Sequence, residues 1–171
     1  MSLRVQLSLV VTAMIALAAC GKPAPAANDQ PSAPTEPAAA PTPPPATMTD
    51  VQKKTALASL PAAYQNADLD NGQAKFALCK SCHTTASGGA DMTGPNLFGL
   101  FGRKAGSKPG FAYSAGLKAA SFTWDAAHLD KWIANPRGMI PMTKMTFIGM
   151  ENPKDRADVI AYLKVATSPA G

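Results

Sequence analysis

At 171 residues, with 16 basic and 11 acidic side chains for a formal charge of +5 and only 6% aromatic residues, the chain is sized for one folded domain. From Asp68 to Gly171 there are 12 Lys or Arg against 8 Asp or Glu, a difference of +4, with no basic run longer than Arg103–Lys104. That mild, scattered excess speaks against nucleic-acid binding and for steering toward an acidic protein surface.

Met1 to Ala19 reads as an export signal: Arg4 gives the positive start, Leu7 to Ala19 the apolar run and Leu17, Ala18 and Ala19 the small-residue end. The run is short of the roughly 20 residues that a spanning helix needs, although an uncleaved signal anchor would use the same residues. Cys20 follows directly, and "LAAC" resembles the bacterial lipobox, in which the cysteine becomes the lipid-modified N-terminus of the mature chain. The next stretch, "GKPAPAANDQPSAPTEPAAAPTPPPA", holds nine of the 16 prolines. Its prolines deny it regular hydrogen bonding, so residues 20–48 are expected to form a solvated tether, in which Gly21 to Ala46 reach about 80 Å at full polyproline extension.

Helical punctuation begins at Thr49, which has capping-box spacing to Gln52 ahead of "DVQKKTALASL"; Pro61 ends or restarts this helix, leaving "PAAYQNADL" open between a turn and a loop. Residues 49–67 form a lead-in without chemistry of their own. A second helix is expected from an Asp70 cap through "NGQAKFALCKSC", with Gly72 and Phe76 on one face and Gly72 suited to a close helix crossing. The partner expected for it lies at the C-terminal end, where Asn152 and Pro153 open "KDRADVIAYLKVAT". Val159, Ile160 and Leu163 form an apolar stripe there, with Asp155 and Asp158 early and Lys164 late as the helix dipole favours. Leu129, Trp132 and Ile133 give "FTWDAAHLDKWIANP" helical spacing, with Pro136 biasing Asn135 out of the helix. No stretch alternates as a strand, so the class is all-α. The Gly- and Pro-rich chain from Thr84 to Ala120 needs something besides secondary structure to pack against.

"CKSCH", Cys79 to His83, supplies a candidate: it has the spacing for covalent haem attachment, two thiols for the haem vinyls and a following imidazole for the iron. A zinc site would need a fourth ligand, and His128 is the only other histidine. A thioredoxin-like pair would need a βαβ context, and a structural disulfide would leave His83 without a reason. Met139, Met142, Met145 and Met150 cluster in "GMIPMTKMTFIGM", and clustering alone does not select a ligand among them.

Taken in order, "CKSCHT", "TGPNLFGLFGRKAG", "PGFAYS", "TW", "NP", "IPMTKMTFIG" and "DVIAYLK" resemble the class I c-type cytochromes of the mitochondrial and bacterial shuttle type over Asp68 to Thr167. The resemblance implies a small fold of crossed terminal helices wrapped around one covalent haem c, within a domain spanning residues 68–171. It implies Cys79 and Cys82 as attachment points, His83 and Met145 as iron ligands, and Pro95 as acceptor for the second ring N–H of His83. Arg103, Tyr113 and Trp124 are similar to the polar set around the haem propionates, and Trp132 stands where many relatives carry a tyrosine on the methionine side. Leu117 replaces a polar residue and predicts a drier pocket; His128 has no matching role and reads as a helix-surface residue.

With both axial positions filled, the resemblance implies a monomeric one-electron carrier and not an enzyme. Its partners would be redox proteins with acidic docking surfaces, such as a cytochrome bc complex and a terminal oxidase, met through a rim that includes Lys80, Lys104 and Lys144. A haem enzyme, or a dedicated donor to a peroxidase or denitrification reductase, is the alternative. With Cys20 lipidated, the expected location is a bacterial cell envelope, on the periplasmic side of a membrane.

Overall fold

A computed structural model of the chain describes residues 48–169. The export signal, Cys20 and almost all of the Pro/Ala tract lie outside the described residues. Helix α1, Asp50–Ala58, begins with a complete capping box: the Gln52 N–H donates to Thr49 Oγ1 at 3.3 Å and the Thr49 N–H to Gln52 Oε1 at 2.9 Å. Helix α2, Ala62–Gln65, is the short turn after Pro61, and between the two Leu60 is buried. Both helices pack against the C-terminal helix, so the lead-in belongs to the same folded body.

Helix α3, Leu69–Phe76, is capped by Asp68 and not, as expected, by Asp70. Asp68 Oδ1 accepts from the N–H groups of Asp70 at 3.0 Å and Asn71 at 2.9 Å. Asp70 instead sits in the first turn, where a carboxylate meets the positive end of the helix dipole. From Ala77 to Ser114 the chain forms turns and loops. Four further helices follow: α4, Ala115–Ala119; α5, Ala126–Ala134, capped by Asp125; α6, Pro136–Met139, capped by Asn135; and α7, Pro153–Thr167, capped by Asn152 with Pro153 in its first turn. Among the described residues there is no β-strand, only an isolated bridge between Lys104 and Thr123.

The fold closes where α3 crosses α7. A Cβ on Gly72 would lie 2.1 Å from the Asp158 carbonyl oxygen and 2.8 Å from Tyr162 Cβ, so only glycine permits the approach. Phe76 fills the next turn against Tyr162 with ring centroids 5.4 Å apart. Leu129, Trp132 and Ile133 of α5 join Val159, Ile160 and Leu163 of α7 in the buried core.

Asp158, expected to act only on the dipole, does more: it is 1% exposed and ties the two ends of the domain together. Its carboxylate accepts from the Asp68 N–H at 2.9 Å, Asn71 Nδ2 at 2.7 Å and Lys154 Nζ at 2.7 Å. Burial pushes its pKa up, but the hydrogen bonds from Lys154, Asn71 and Asp68 outweigh it and hold the group below its ordinary value. A depressed carboxylate contributes stability above its unfolded pKa of about 3.9 and loses it as pH falls through the lowered folded value. Urea titrations at pH 7 and pH 3 should show that Asp158→Asn flattens this acid-side loss. Asp158→Ala, which strands buried donors, should cost about 3 kcal/mol at pH 7.

Candidate functional site

After α3 the chain turns so that the N–H groups of Cys82 and His83 both donate to the Cys79 carbonyl, at 3.0 and 2.9 Å. This places two unpaired thiols and an imidazole on one tight turn. All three line a cavity of about 270 Å³. Burial, and secondarily the neighbouring Cys82, push the Cys79 thiol up to about 11. That direction is the opposite of the one that activates a redox thiol. Among the described residues no group of three or more His, Cys, Asp or Glu is arranged to hold a metal ion.

His83 is fixed in one orientation. Its Nδ1 lies 2.8 Å from the Pro95 carbonyl oxygen, an acceptor only, so Nδ1 carries the proton and Nε2 keeps a free lone pair. Burial lowers the His83 pKa, partly countered by the Pro95 bond, so the ring is held in the neutral form that ligates metals. Gly94 forms the cradle: a Cβ there would lie 2.3 Å from His83 Cε1 and 2.7 Å from both ring nitrogens. Gly94 is not among the residues that the sequence alone singles out. Its place beside Pro95 in "TGPNL" is the signal that could have drawn attention to it.

Met145 lines the same cavity, its N–H bonded to Thr143 Oγ1 at 3.2 Å. Met139, Met142 and Met150 do not. Met150 is buried, with its N–H on the Ile133 carbonyl at 2.9 Å. Met142 is 91% exposed and stands at φ 61°, a left-handed conformation that costs a side-chain-bearing residue about 1–2 kcal/mol.

Arg103, Tyr113, Leu117, Trp124 and Trp132 also lie on the cavity wall. Arg103 turns Nη2 onto the Asn96 carbonyl at 3.2 Å and Nη1 toward Phe98 O at 3.4 Å. Burial raises the pKa of Tyr113 despite the nearby Arg103 charge, keeping the phenol neutral. Trp124 and Trp132, both buried, meet edge to face at 5.6 Å. Leu117 contributes the apolar wall expected of it. Lys144 stands at the mouth and donates to the Ala112 carbonyl at 2.7 Å, while Lys80 and Lys104 are exposed. His128 does not line the cavity; it is more than a surface residue, stacking on Phe122 at 4.5 Å and bonding Asp125 at 2.8 Å.

An apolar cleft bearing two free thiols on one turn, a neutral imidazole with its lone pair free and a thioether suits a flat, iron-containing macrocycle joined through thioethers. The glycine-floored cradle fits the same group, because it presses a ligand ring into place without competing for space. When bound, haem c supplies an iron that exchanges one electron at a time.

Comparison with known proteins agrees. The cytochrome c family model matches residues 69–167. The chain is 46% identical over 101 residues to cytochrome c2 of Rhodomicrobium vannielii, covering 59% of this chain and 81% of that one. It is 46% identical over 102 residues to cytochrome c of Chlamydomonas reinhardtii, covering 59% and 91%. Among solved structures, cytochrome cH from Methylobacterium extorquens matches with a TM-score of 0.54 and 43% identity, over 57% of this chain and 98% of that one. The cavity chemistry and these matches together place the chain in the cytochrome c family, as a monohaem electron carrier with one covalently bound haem c.

Proposed function

We propose that this cytochrome is moored to a bacterial membrane by acyl chains on Cys20 and carries single electrons across the periplasm between respiratory or photosynthetic complexes, for example from a cytochrome bc complex to a terminal oxidase. In this reading Cys79 and Cys82 would hold the haem, His83 and Met145 would ligate its iron, and residues 20–48 would form the tether. The observation that carries it is the pairing of an oriented, neutral His83 with Met145, the one methionine among the described residues that reaches the cavity.

The protein's own groups then have separate tasks. Pro95 and Gly94 hold the His83 ring and so raise and aim its electron donation. Leu97, Leu100, Leu117 and Ile133 exclude water, which disfavours the extra positive charge of the oxidised state. The Met145 thioether favours the reduced state and so raises the potential. Exposed Lys80, Lys104 and Lys144 steer the mouth toward acidic partners, giving fast, salt-sensitive encounters.

Two measurements test the proposal. Mass spectrometry of the mature protein should find an acylated Cys20 at its N-terminus; an intact Met1 would end the anchoring. The native protein should show the weak far-red methionine-to-iron band and no rapid response to carbon monoxide, and Met145→Ala should lose the band and bind carbon monoxide. A native protein that binds carbon monoxide rapidly would move the reading to a haem enzyme.

A further inference from the structure

The peptide unit between Pro95 and Asn96 is held at both ends. At one end the Pro95 carbonyl accepts the His83 Nδ1–H at 2.8 Å. At the other the Asn96 N–H donates to Asp91 Oδ1 at 2.7 Å. There is no cis peptide bond among the described residues, so C=O and N–H point in opposite directions within one rigid plane. Whatever fixes the direction of the N–H therefore fixes the direction of the C=O.

Asn96 cannot turn to relax this arrangement. It is 4% exposed, and its Nδ2 donates to Thr84 Oγ1 at 2.7 Å and to the Ala86 carbonyl at 2.9 Å. Its Oδ1 accepts the Phe98 N–H at 3.0 Å, and its carbonyl accepts from Arg103 at 3.2 Å. The second oxygen of Asp91 accepts Lys108 Nζ at 2.8 Å, an ion pair that joins two loops 17 residues apart. The hydrogen bond from Lys108, then that from the Asn96 N–H, holds the Asp91 carboxyl below its ordinary value, so the group is charged at neutral pH. Gly94 and Pro95 line the cavity, but Asp91, Asn96 and Lys108 do not.

We propose that Asp91 is a positioning residue for the axial histidine: its carboxylate, balanced by Lys108, orients and polarises the Pro95–Asn96 peptide, and through that peptide sets how strongly His83 donates to the iron. An anionic acceptor on the N–H end strengthens the carbonyl at the other end as an acceptor, a cooperative gain of about 10–30% per bond. A stronger acceptor draws on the His83 Nδ1–H, makes Nε2 more basic and favours the oxidised state. Lys108 works in the opposite sense by withdrawing part of the Asp91 charge. The inference rests on His83 being the axial ligand.

The test uses the full-length holoprotein and three variants. Asp91→Asn keeps an acceptor and removes the charge, Asp91→Ala removes both, and Lys108→Met leaves the carboxylate without its cation. Reduction potential and the exchange rate of the His83 ring Nδ1–H with solvent deuterium are read on each. Asp91→Asn should shift the oxidised-to-reduced ratio at fixed potential about threefold toward reduced, about 28 mV for a one-electron couple at 59 mV per tenfold. Lys108→Met should shift it toward oxidised. Asp91→Ala should speed ring-proton exchange about tenfold or more, and Asp91→Asn by less, since loss of the peptide anchor frees the carbonyl.

A simple loss of nearby charge would move the potential and leave the ring proton alone. The inference falls if ring-proton exchange is the same in Asp91→Ala and wild type, or if Asp91→Asn and Lys108→Met shift the potential in the same direction. Should Asp91→Ala fail to fold, those last two variants decide by the sign of their potential shifts and by ring-proton exchange. The underlying ligation is checked separately, because hyperfine-shifted His83 ring signals in the oxidised wild type are present only if His83 binds the iron.

Discussion

Alanine in place of Gly94 should disable the haem site while leaving α3 and α7 folded together. The added Cβ would stand 2.3 Å from His83 Cε1 and 2.7 Å from both ring nitrogens. Ordinary contact between such atoms is about 3.5–4.0 Å, so the ring would have to withdraw by more than an ångström. The 2.8 Å bond to Pro95 cannot survive that movement, because Pro95 follows Gly94 in the same loop. Overpacking of this kind costs about 1–3 kcal/mol, with about 1 kcal/mol more for the hydrogen bond. The expected holoprotein has an altered visible spectrum, binds carbon monoxide and unfolds at lower urea concentration. An unchanged spectrum and midpoint would show that the ring has room to spare.

Gly72→Ala gives a second, larger loss, and its sign discriminates between two forces. In an isolated helix the change stabilises by about 1 kcal/mol, since glycine carries the greater backbone entropy. Here the new methyl would meet the Asp158 carbonyl oxygen at 2.1 Å and its carbon at 2.7 Å. Both are α7 backbone, so nothing can swing aside and the helices must part. Parting them loosens the Phe76–Tyr162 contact and the Asp158 tie in the same movement. The expected outcome is a loss of about 3 kcal/mol or more, a large part of a typical domain's 5–15 kcal/mol, read from thermal melting by circular dichroism. A raised melting temperature would mean that helix propensity wins and that the crossing is looser than described.

Local signals in the sequence carry most of the secondary structure, because each depends on residues three or four apart. Thr49 with Gln52 and Asn152 with Pro153 both open helices where their chemistry predicts. The one misplaced cap is ambiguous locally, since Asp68 and Asp70 are two residues apart and either could cap; the cap is Asp68, whose N–H is also held by Asp158, 90 residues away. Asp158 itself was legible only as a charge in the right half of a helix. Its buried role depends on α3 arriving from the far end of the chain.

The same limit applies at the site. "CKSCH" and the family pattern single out the residues that now line one cavity, whereas Gly94, Asn96 and Asp91 have meaning only through the His83 ring and peptide they hold. His128 reads as a plain helix-surface residue until Phe122, from outside its helix, is laid beneath it.

The crossing of α3 and α7 also bears on the order of assembly. Asn71 and Asp158, which meet there, are 87 residues apart, so their contact closes a loop spanning nearly the whole domain. Loop closure is costly in entropy, and contacts of such long sequence separation slow folding. Because α7 follows α1 to α6 in the chain, the partner surface for α3 does not exist until the chain has grown past Pro153. During that interval Cys79, Cys82 and His83 stand on an open segment with no far wall around them. The topology therefore leaves the attachment turn accessible until α7 docks on α3 and closes the compartment.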